Sequence, residues 1–151
     1  MHRYMALDVG DRRIGVALSD PLQILASPLL TIARTSDEAA LLEITGLVHK
    51  HEVEKLIIGM PYSLDGTIGP QAEKVLLFKD RIAAQLTIEV VLQDERLSSV
   101  TADQKLKETR KRSARLRERI DAAAAAVILQ SYMDEFKSVN EEGQTDYSAQ
   151  L

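Results

Sequence analysis

The segment that most constrains the fold lies near the N-terminus, where two apolar stretches flank a sharp polar interruption. Residues 4–20 read Y-M-A-L-D-V-G-D-R-R-I-G-V-A-L-S-D. Gly10 and the aspartate after it tolerate the positive-φ geometry of tight turns, so the pattern predicts a hairpin of two strands, Arg3–Val9 and Arg13–Leu18. Asp8 stands inside the first strand. Because burial of an isolated carboxylate is costly, Asp8 either begins the turn or is paired, solvated or bound to a metal.

The remaining chain alternates apolar strand patterns with helical ones. Further strands are predicted at Leu29–Ala33, Lys55–Met60 and Ile88–Gln93. The run at Lys55–Met60 is almost wholly apolar, which is typical of a strand covered on both faces. The predicted order β-β-β-α-β-α-β-α-α describes a mixed α/β sheet, with three antiparallel strands followed by parallel strands and with helices on its faces.

Helix signals are clearest at the starts of the first two helices. Thr35 and Glu38 have the spacing of a capping box, and Pro70 suits the first turn of the second helix. The other two predicted helices run from Ser98 or Ser99 to about Lys107, and over Ile120–Met133.

Length and composition favour one domain. The chain has 151 residues and no cysteine, which excludes a disulfide framework and a cysteine-based zinc site. We expect residues 1–136 to form the domain and residues 137–151 a polar, flexible tail. No apolar run approaches the length of a membrane span and no signal-peptide pattern is present, so a cytoplasmic protein without membrane association is expected.

A dense basic segment stands out on an acidic chain. Eight of the nineteen lysines and arginines lie between Lys105 and Arg119, opposed there by two glutamates, while the whole chain has a net charge of −4. Such a segment is typical of a polyanion-binding surface. The alternative is an ordinary solvated helix face or loop.

Three carboxylates occupy positions that suit a role in catalysis or metal binding. Asp8 interrupts an apolar strand, Glu95 directly follows another strand, and Asp121 opens the alanine-rich stretch 122–126, whose small side chains would let a helix approach the sheet closely. Each has a structural alternative: Asp121 suits the dipole at a helix start, and Glu95 can pair with a neighbouring cation such as Arg96. Together, oxygen ligands without His or Cys suit Mg²⁺ or Mn²⁺ in phosphodiester hydrolysis.

Four motifs resemble the YqgF-type pre-16S ribosomal RNA nuclease family, also described as Holliday-junction resolvase-like proteins. They are L-D-V-G-D-R-R-I-G-V-A-L-S-D (7–20), I-I-G-M-P-Y-S-L-D-G-T-I-G-P-Q (57–71), L-Q-D-E-R-L-S-S-V-T-A (92–102) and I-D-A-A-A-A-A-V-I-L-Q-S-Y-M (120–133). The resemblance implies an RNase H-like fold, with Asp8, Glu95 and Asp121 as a catalytic, metal-binding acidic triad. It also implies trimming of small-subunit ribosomal RNA precursors, with resolution of branched DNA as the older alternative.

The chain departs from that family pattern at two places. Ser63 replaces an asparagine in the loop after the fourth strand, where both loop-shaping and substrate-contacting roles stay open. Ala124 and Ala125 stand one turn beyond Asp121, where true resolvases carry a fourth ligand, which weakens the junction-resolving alternative.

Phosphate contacts and oligomeric state complete the sequence-based expectations. The basic residues expected to contact phosphates are Arg12, Arg13, Arg96, Lys111, Arg112, Arg117 and Arg119. A non-cleaving nucleic-acid-binding module remains an alternative to the nuclease. The two-fold symmetry of a four-way junction would require a dimer, whereas a monomer favours RNA; the sequence leaves this open.

Overall fold

The computed structural model describes residues 2–95 and 113–149, with side chains described as far as Glu135. Five strands form one sheet in the order β3-β2-β1-β4-β5. Their bounds are β1 Arg3–Val9, β2 Arg13–Ser19, β3 Ala26–Ala33, β4 Val53–Met60 and β5 Glu89–Asp94. The described helices are α1 Asp37–Lys50, α2 Pro70–Gln85 and α3 Ala114–Ala149.

The pairing of the strands follows from the length of their connections. The short turn between β1 and β2 makes that pair antiparallel, and β2 with β3 is antiparallel as well. Strand β4 pairs parallel with both β1 and β5. Helix α2 provides the crossover between β4 and β5, and β2, β3 and α1 lie between β1 and β4 in the chain. The five-stranded mixed sheet predicted from the sequence is confirmed.

The sheet is covered on both faces by separate apolar clusters. Alternation along β1 directs Met5, Leu7 and Val9 to the core beneath α1 and α2, and directs Tyr4 and Ala6 to α3. Each face therefore buries one half of the strand's side chains. Asp8 belongs by the same alternation to the α3 face.

Helix α3 lies unusually close to the sheet, as its alanine-rich sequence predicts. A Cβ at Gly15 on β2 would collide with the backbone carbonyl of Asp121 and would lie 2.9 Å from the backbone nitrogen of Ala122. Ala124 and Ala125 are buried in the same interface. Small residues on both surfaces thus bring the backbone of α3 into contact with β2.

The start of α1 corrects the predicted capping box. Ser36, in extended conformation, is the N-cap, and its hydroxyl accepts a hydrogen bond from the backbone N–H of Ala39. The box predicted from Thr35 and Glu38 is therefore wrong by one residue, because adjacent Thr and Ser are both good caps and only the path of the chain selects between them. The placement of Pro70 at the start of α2 is confirmed.

The last helix is longer than the predicted Ile120–Met133. It begins at Ala114, after Ser113 accepts backbone hydrogen bonds from Leu116 and Arg117, and it continues to Ala149. The run R-L-R-E-R consists of strong helix formers, so part of the basic segment forms the first turns of α3. The helix predicted near residues 98–107 lies outside the described residues, and the division at residue 136 stays a prediction. None of the described helices has the length and apolar character needed to cross a membrane.

Candidate active site

Asp8 lies in a row of small residues across the α3 face of the sheet. It is 6% exposed and sits opposite Gly15 of β2 in the antiparallel register. On its other side, the parallel register of Leu7 with Ile58 places Gly59 of β4 beside it. Neither glycine places a side chain beside this carboxylate, and other parts of the chain approach the sheet there: the backbone of α3 at Gly15 and the side chain of Glu95 at Gly59.

Glu95 occupies the space above Gly59. A Cβ at Gly59 would collide with Oε2 of Glu95 and would lie 2.6 Å from Cδ1 of Ile128 on α3. The backbone N–H of Glu95 donates to the carbonyl of Met60 at 3.1 Å, which fixes the chain as it leaves β5. The carboxylate of Glu95 therefore lies on the α3 face, over β4.

The missing side chain at Gly59 solves a problem of distance between Asp8 and Glu95. Strands β1 and β5 are separated by β4, so their backbones lie about 10 Å apart. With its carboxylate resting on Gly59, Glu95 reaches the strand directly beside Asp8. The sequence analysis did not assign this role to Gly59; a glycine inside an otherwise apolar strand was the available signal.

Asp121 reaches the same face from α3, but it is bonded to an arginine. Its Oδ2 accepts a hydrogen bond from Nε of Arg13 at 2.7 Å, and the two side chains are 17% and 30% exposed respectively. Arg13 lies two residues before Gly15 on the same face of β2. The sequence predicted Arg13 as a phosphate contact, which stays a prediction; in the structure its guanidinium is hydrogen-bonded to one of the three acids.

The position of Asp121 within its helix removes one structural alternative. The helix begins at Ala114, so Asp121 lies about two turns inside it and not in the first turn. The favourable effect of a helix N-terminus on a carboxylate falls off within that first turn. The helix dipole therefore does not account for an aspartate at this position.

The three acids converge on one face without forming a ready-made metal site. Asp8 and Glu95 are neighbours over β1 and β4, whereas Asp121 is turned to Arg13. Among the side chains that the structure describes, no three His, Cys, Asp or Glu residues are grouped so as to hold a metal ion. The donor set fits Mg²⁺ or Mn²⁺ in chemistry, since it contains only carboxylate oxygens. Assembling all three around an ion therefore requires a side chain to move, and Asp121 is the acid whose Oδ2 is held by Arg13.

Several of the predicted phosphate contacts lie around these acids. Arg12 is exposed in the β1–β2 turn, and Arg117 lies one helical turn before Asp121 on α3. Arg119 is exposed and lines a groove of about 580 Å³ between β3 and the start of α3. The other three lie outside the described residues: Arg96, Lys111 and Arg112.

The loop after β4 is shaped by its own hydrogen bonds. The backbone N–H of Ser63 donates to the carbonyl of Thr67, and the carbonyl of Ser63 accepts from Gly66 at 2.8 Å. Gly66 has φ of 85°, a conformation that favours glycine. Asp65 accepts from both the backbone and the hydroxyl of Thr67. These contacts support the loop-shaping role, and Ser63 takes part in it through its backbone.

Comparison with protein families and curated sequences gives a consistent result. The family model described as "RuvX: Holliday junction resolvase" matches residues 2–135. A protein of Dehalococcoides mccartyi is 50% identical over 127 residues, which cover 84% of this chain and 94% of the relative. A protein of Roseiflexus sp. is 44% identical over 132 residues, covering 87% and 94% respectively. Both relatives are named "Putative pre-16S rRNA nuclease".

Solved structures share the fold at low sequence identity. Thermus thermophilus RuvC in complex with a Holliday junction substrate superposes with a TM-score of 0.56 at 14% identity, covering 88% of this chain and 94% of RuvC. Fowlpox virus resolvase with its Holliday junction DNA gives a TM-score of 0.55 at 10% identity, covering 89% and 98%. At these identities the likeness shows the fold, and the RNase H-like architecture expected from the sequence is confirmed.

Proposed function

Because this chain belongs to the RuvX family, we propose that it is a metal-dependent nuclease that hydrolyses phosphodiester bonds at the ends of precursor 16S rRNA. Its curated relatives carry the corresponding name over nearly their full length. The observation that carries the proposal is the position of the Glu95 carboxylate over Gly59, beside Asp8. A buried acid inside a strand and a second acid brought to it across another strand supply the carboxylate oxygens that divalent cations such as Mg²⁺ prefer.

We assign Asp8, Glu95 and Asp121 to hold one or two divalent cations, Mg²⁺ or Mn²⁺. When bound there, such cations would activate the attacking water and stabilise charge on the scissile phosphate. The chain's own contribution is to fix the acids on rigid elements: Asp8 on β1, and Asp121 on a helix whose backbone rests on Gly15. Side chains anchored in this way keep ligand geometry better than side chains on loops.

The surrounding arginines are assigned to hold the substrate. Three acids on one face would repel the RNA backbone, so cations near the site are needed to offset the repulsion. Arg12 lies in the adjoining turn, and Arg117 and Arg119 lie on the turns of α3 before Asp121. The groove lined by Arg119 between β3 and α3 offers a path for a strand that leaves the acids. Arg96, Lys111 and Arg112 are assigned the same role from the sequence.

Cleavage of four-way DNA junctions has less support than cleavage of RNA. The helical positions one turn beyond Asp121 hold Ala124 and Ala125, and both are buried against the sheet. A fourth ligand of the resolvase kind therefore has no place on this helix. Action on precursor rRNA in a bacterium implies the cytoplasm as the site of action. We propose a monomer acting on RNA, because only a junction's symmetry would demand a dimer.

The experiment compares wild-type protein with Asp8→Asn on precursor 16S rRNA and on a four-way DNA junction. Each substrate is incubated with Mg²⁺, with Mn²⁺ and with a chelator. We expect cleavage of RNA to require metal and to fall more than about 100-fold in Asp8→Asn, since even outer-shell partners of catalytic metals contribute about 10- to 100-fold.

A matched control removes a carboxylate from the neighbouring turn. Asp11 is exposed, and its Oδ1 lies 3.6 Å from Nζ of Lys74, away from the α3 face. Asp11→Asn is therefore expected to cleave at nearly the wild-type rate. Cleavage by folded Asp8→Asn at the wild-type rate would overturn the mechanism. Metal-independent RNA binding without cleavage by the wild type would identify a binding module, and preferential cleavage of the DNA junction would identify a resolvase.

A further inference from the structure

The bond between Arg13 and Asp121 places a fixed cation on one of the three proposed metal ligands. Nε of Arg13 lies 2.7 Å from Oδ2 of Asp121, and the pair joins residues 108 positions apart in the chain. The pair is not needed to hold the helix in place, because α3 is already seated by backbone contact at Gly15 and by an apolar cluster further along. We therefore attribute the position of this pair, on the same face as Asp8 and Glu95, to the chemistry of the site.

A guanidinium and a divalent cation compete for the same carboxylate. The positive charges of Arg13 and of a metal bound to Asp121 would repel each other at this short distance, where the surrounding protein screens them less than water does. In the absence of metal, the same guanidinium offsets the mutual repulsion of the clustered acids. Arg13 is thus placed where a metal ion would replace it.

We propose that Arg13 substitutes for the metal on Asp121 in the metal-free protein, is released when a divalent cation binds, and then binds a phosphate of the substrate. The proposal rests on the proposed nuclease function and concerns the order in which its ligands bind. Arg13 thereby links metal occupancy to substrate binding. Once the guanidinium of Arg13 has left the carboxylate of Asp121, it is available to a phosphate group.

The surroundings of Arg13 allow this exchange through its side chain alone. Its backbone is held in β2 by the register with Ala33, and its carbonyl accepts a hydrogen bond from the N–H of Gly10 at 2.9 Å. The side chain is 30% exposed, so it lies at the edge of the site with access to solvent. A planar guanidinium also suits phosphate oxygens, which it can bind in a bidentate manner.

The exchange makes metal and phosphate binding cooperative. Metal binding frees Arg13 for phosphate, and phosphate binding to Arg13 removes a competitor from Asp121. Thermodynamic linkage requires each ligand to strengthen the other by the same factor. If Arg13 stayed bonded to Asp121 and only oriented its carboxylate, removal of Arg13 would weaken metal binding. The exchange predicts that removal of Arg13 strengthens it.

The decisive experiment measures Mn²⁺ affinity without RNA, by calorimetry and by the electron paramagnetic resonance of free Mn²⁺. We expect Arg13→Gln to bind Mn²⁺ about three- to tenfold more tightly than wild type, which corresponds to loss of a part-exposed ion pair worth about 1 kcal/mol. Arg12→Gln removes the same charge from the exposed neighbouring position and serves as the control. We expect its Mn²⁺ affinity to stay within about twofold of wild type, because an exposed charge contributes little.

Each outcome separates this inference from the proposed function. Unchanged or weaker Mn²⁺ binding in Arg13→Gln, with wild-type binding intact, would overturn the exchange alone. Failure of the wild type to bind Mn²⁺ would overturn the proposed metal-dependent function, and the exchange with it. If Arg13→Gln does not fold, Arg13→Met carries the same test, because it removes the charge and keeps an unbranched aliphatic stem: tighter binding than wild type supports the exchange, and equal or weaker binding overturns it.

A second measurement tests the phosphate half of the proposal. Binding of a non-cleavable RNA is measured with and without Mn²⁺ for wild type, Arg13→Gln and Arg12→Gln. We expect Mn²⁺ to strengthen RNA binding by the wild type and by Arg12→Gln, and to strengthen it less in Arg13→Gln. An equal Mn²⁺ effect in all three proteins would overturn the transfer of Arg13 to phosphate.

Discussion

The carboxylate of Glu95 rests on the backbone of Gly59, in the volume that any other residue at position 59 would fill with its Cβ. This contact brings Glu95 across β4 to the strand of Asp8. The side chain of Ile128 on α3 closes the same space from above. One missing methyl group therefore determines whether two of the proposed ligands are neighbours.

Substitution of Gly59 by Ala is expected to damage activity more than stability. The new methyl group would collide with Oε2 of Glu95 and lie 2.6 Å from Cδ1 of Ile128, and overpacking of this kind costs about 1–3 kcal/mol. Displacement of Glu95 should lower RNA cleavage at least about tenfold, as loss of a metal's supporting contacts does. Cleavage assays and urea denaturation measure the two effects. Wild-type cleavage by Gly59→Ala would show that the position of Glu95 over β4 is irrelevant to the reaction.

Substitution of Gly15 by Ala is expected to lift α3 from the sheet. The added methyl group would meet the carbonyl of Asp121, which is backbone and can move only with its helix. We expect a loss of about 1–3 kcal/mol in the free energy of unfolding, together with weaker Mn²⁺ binding because Asp121 moves away from Asp8. An alanine variant with unchanged stability would contradict the close approach of α3 to β2.

Gly46 provides the matched control for both glycine substitutions. It lies inside α1, is exposed, and has no atom near the position of an added Cβ. Gly46→Ala should therefore raise the free energy of unfolding by about 0.5–1 kcal/mol, because alanine is a better helix former. Cleavage activity should match the wild type. Destabilisation by Gly46→Ala would indicate that any added methyl group harms this protein.

The arginines on α3 can be tested through the salt dependence of RNA binding. Arg119→Gln removes an exposed charge beside the groove between β3 and α3. Loss of one phosphate contact should weaken binding and reduce the slope of log K against log salt by about 0.7–0.9. Lys50→Gln removes an exposed charge at the end of α1, across the sheet from α3, and should leave the slope unchanged. Equal slopes for Arg119→Gln and wild type would remove Arg119 from the binding surface.

An ion-pair network between α1 and α2 predicts a pH effect on stability. A hydrogen bond from Arg34, together with the charges of Arg34 and Arg81, holds the pKa of Asp37 below its ordinary value of 3.8 despite some desolvation. Because the folded-state pKa of Asp37 is lowered, its ionised carboxyl stabilises the fold above pH 3.8. This stabilisation is lost as the pH falls through the folded-state pKa.

Asp37→Asn tests the contribution of this network. The variant should lose about 0.5–1 kcal/mol at pH 7, the range for part-exposed pairs, and its unfolding free energy should decline less than that of the wild type below pH 4. Urea denaturation at pH 7, 4 and 3 measures the difference. A constant difference between the two proteins across this range would contradict the pairing of Asp37 with Arg34 and Arg81.

Local sequence patterns predicted the five strands and the first two helices, and misplaced the cap of α1, the start of β3 and the ends of the last helix. The β1–β2 hairpin follows from the two apolar stretches around Gly10, and the parallel strand β4 follows from the almost wholly apolar run Lys55–Met60. Pro70 marked the start of α2, and the alanines after Asp121 predicted the close approach of the last helix. These features depend on residues only a few positions apart, so the spacing of residue types along the chain is enough to predict them. The family resemblance, now confirmed, supplied the architecture and the three acids, whose joint role stays a prediction.

Contacts between distant segments were decided only in the folded chain. The partner of Asp121 could have been any of several nearby cations in the sequence, and geometry selected Arg13, 108 residues away, because β2 and α3 meet at Gly15. The role of Gly59 likewise depends on the order of the strands, which places β4 between the two acids. Hydrophobic periodicity specifies which face of an element is buried, but it does not specify which side chains meet there. That choice was made by the packing of the helix on the sheet, which brings Oδ2 of Asp121 within hydrogen-bond distance of Arg13.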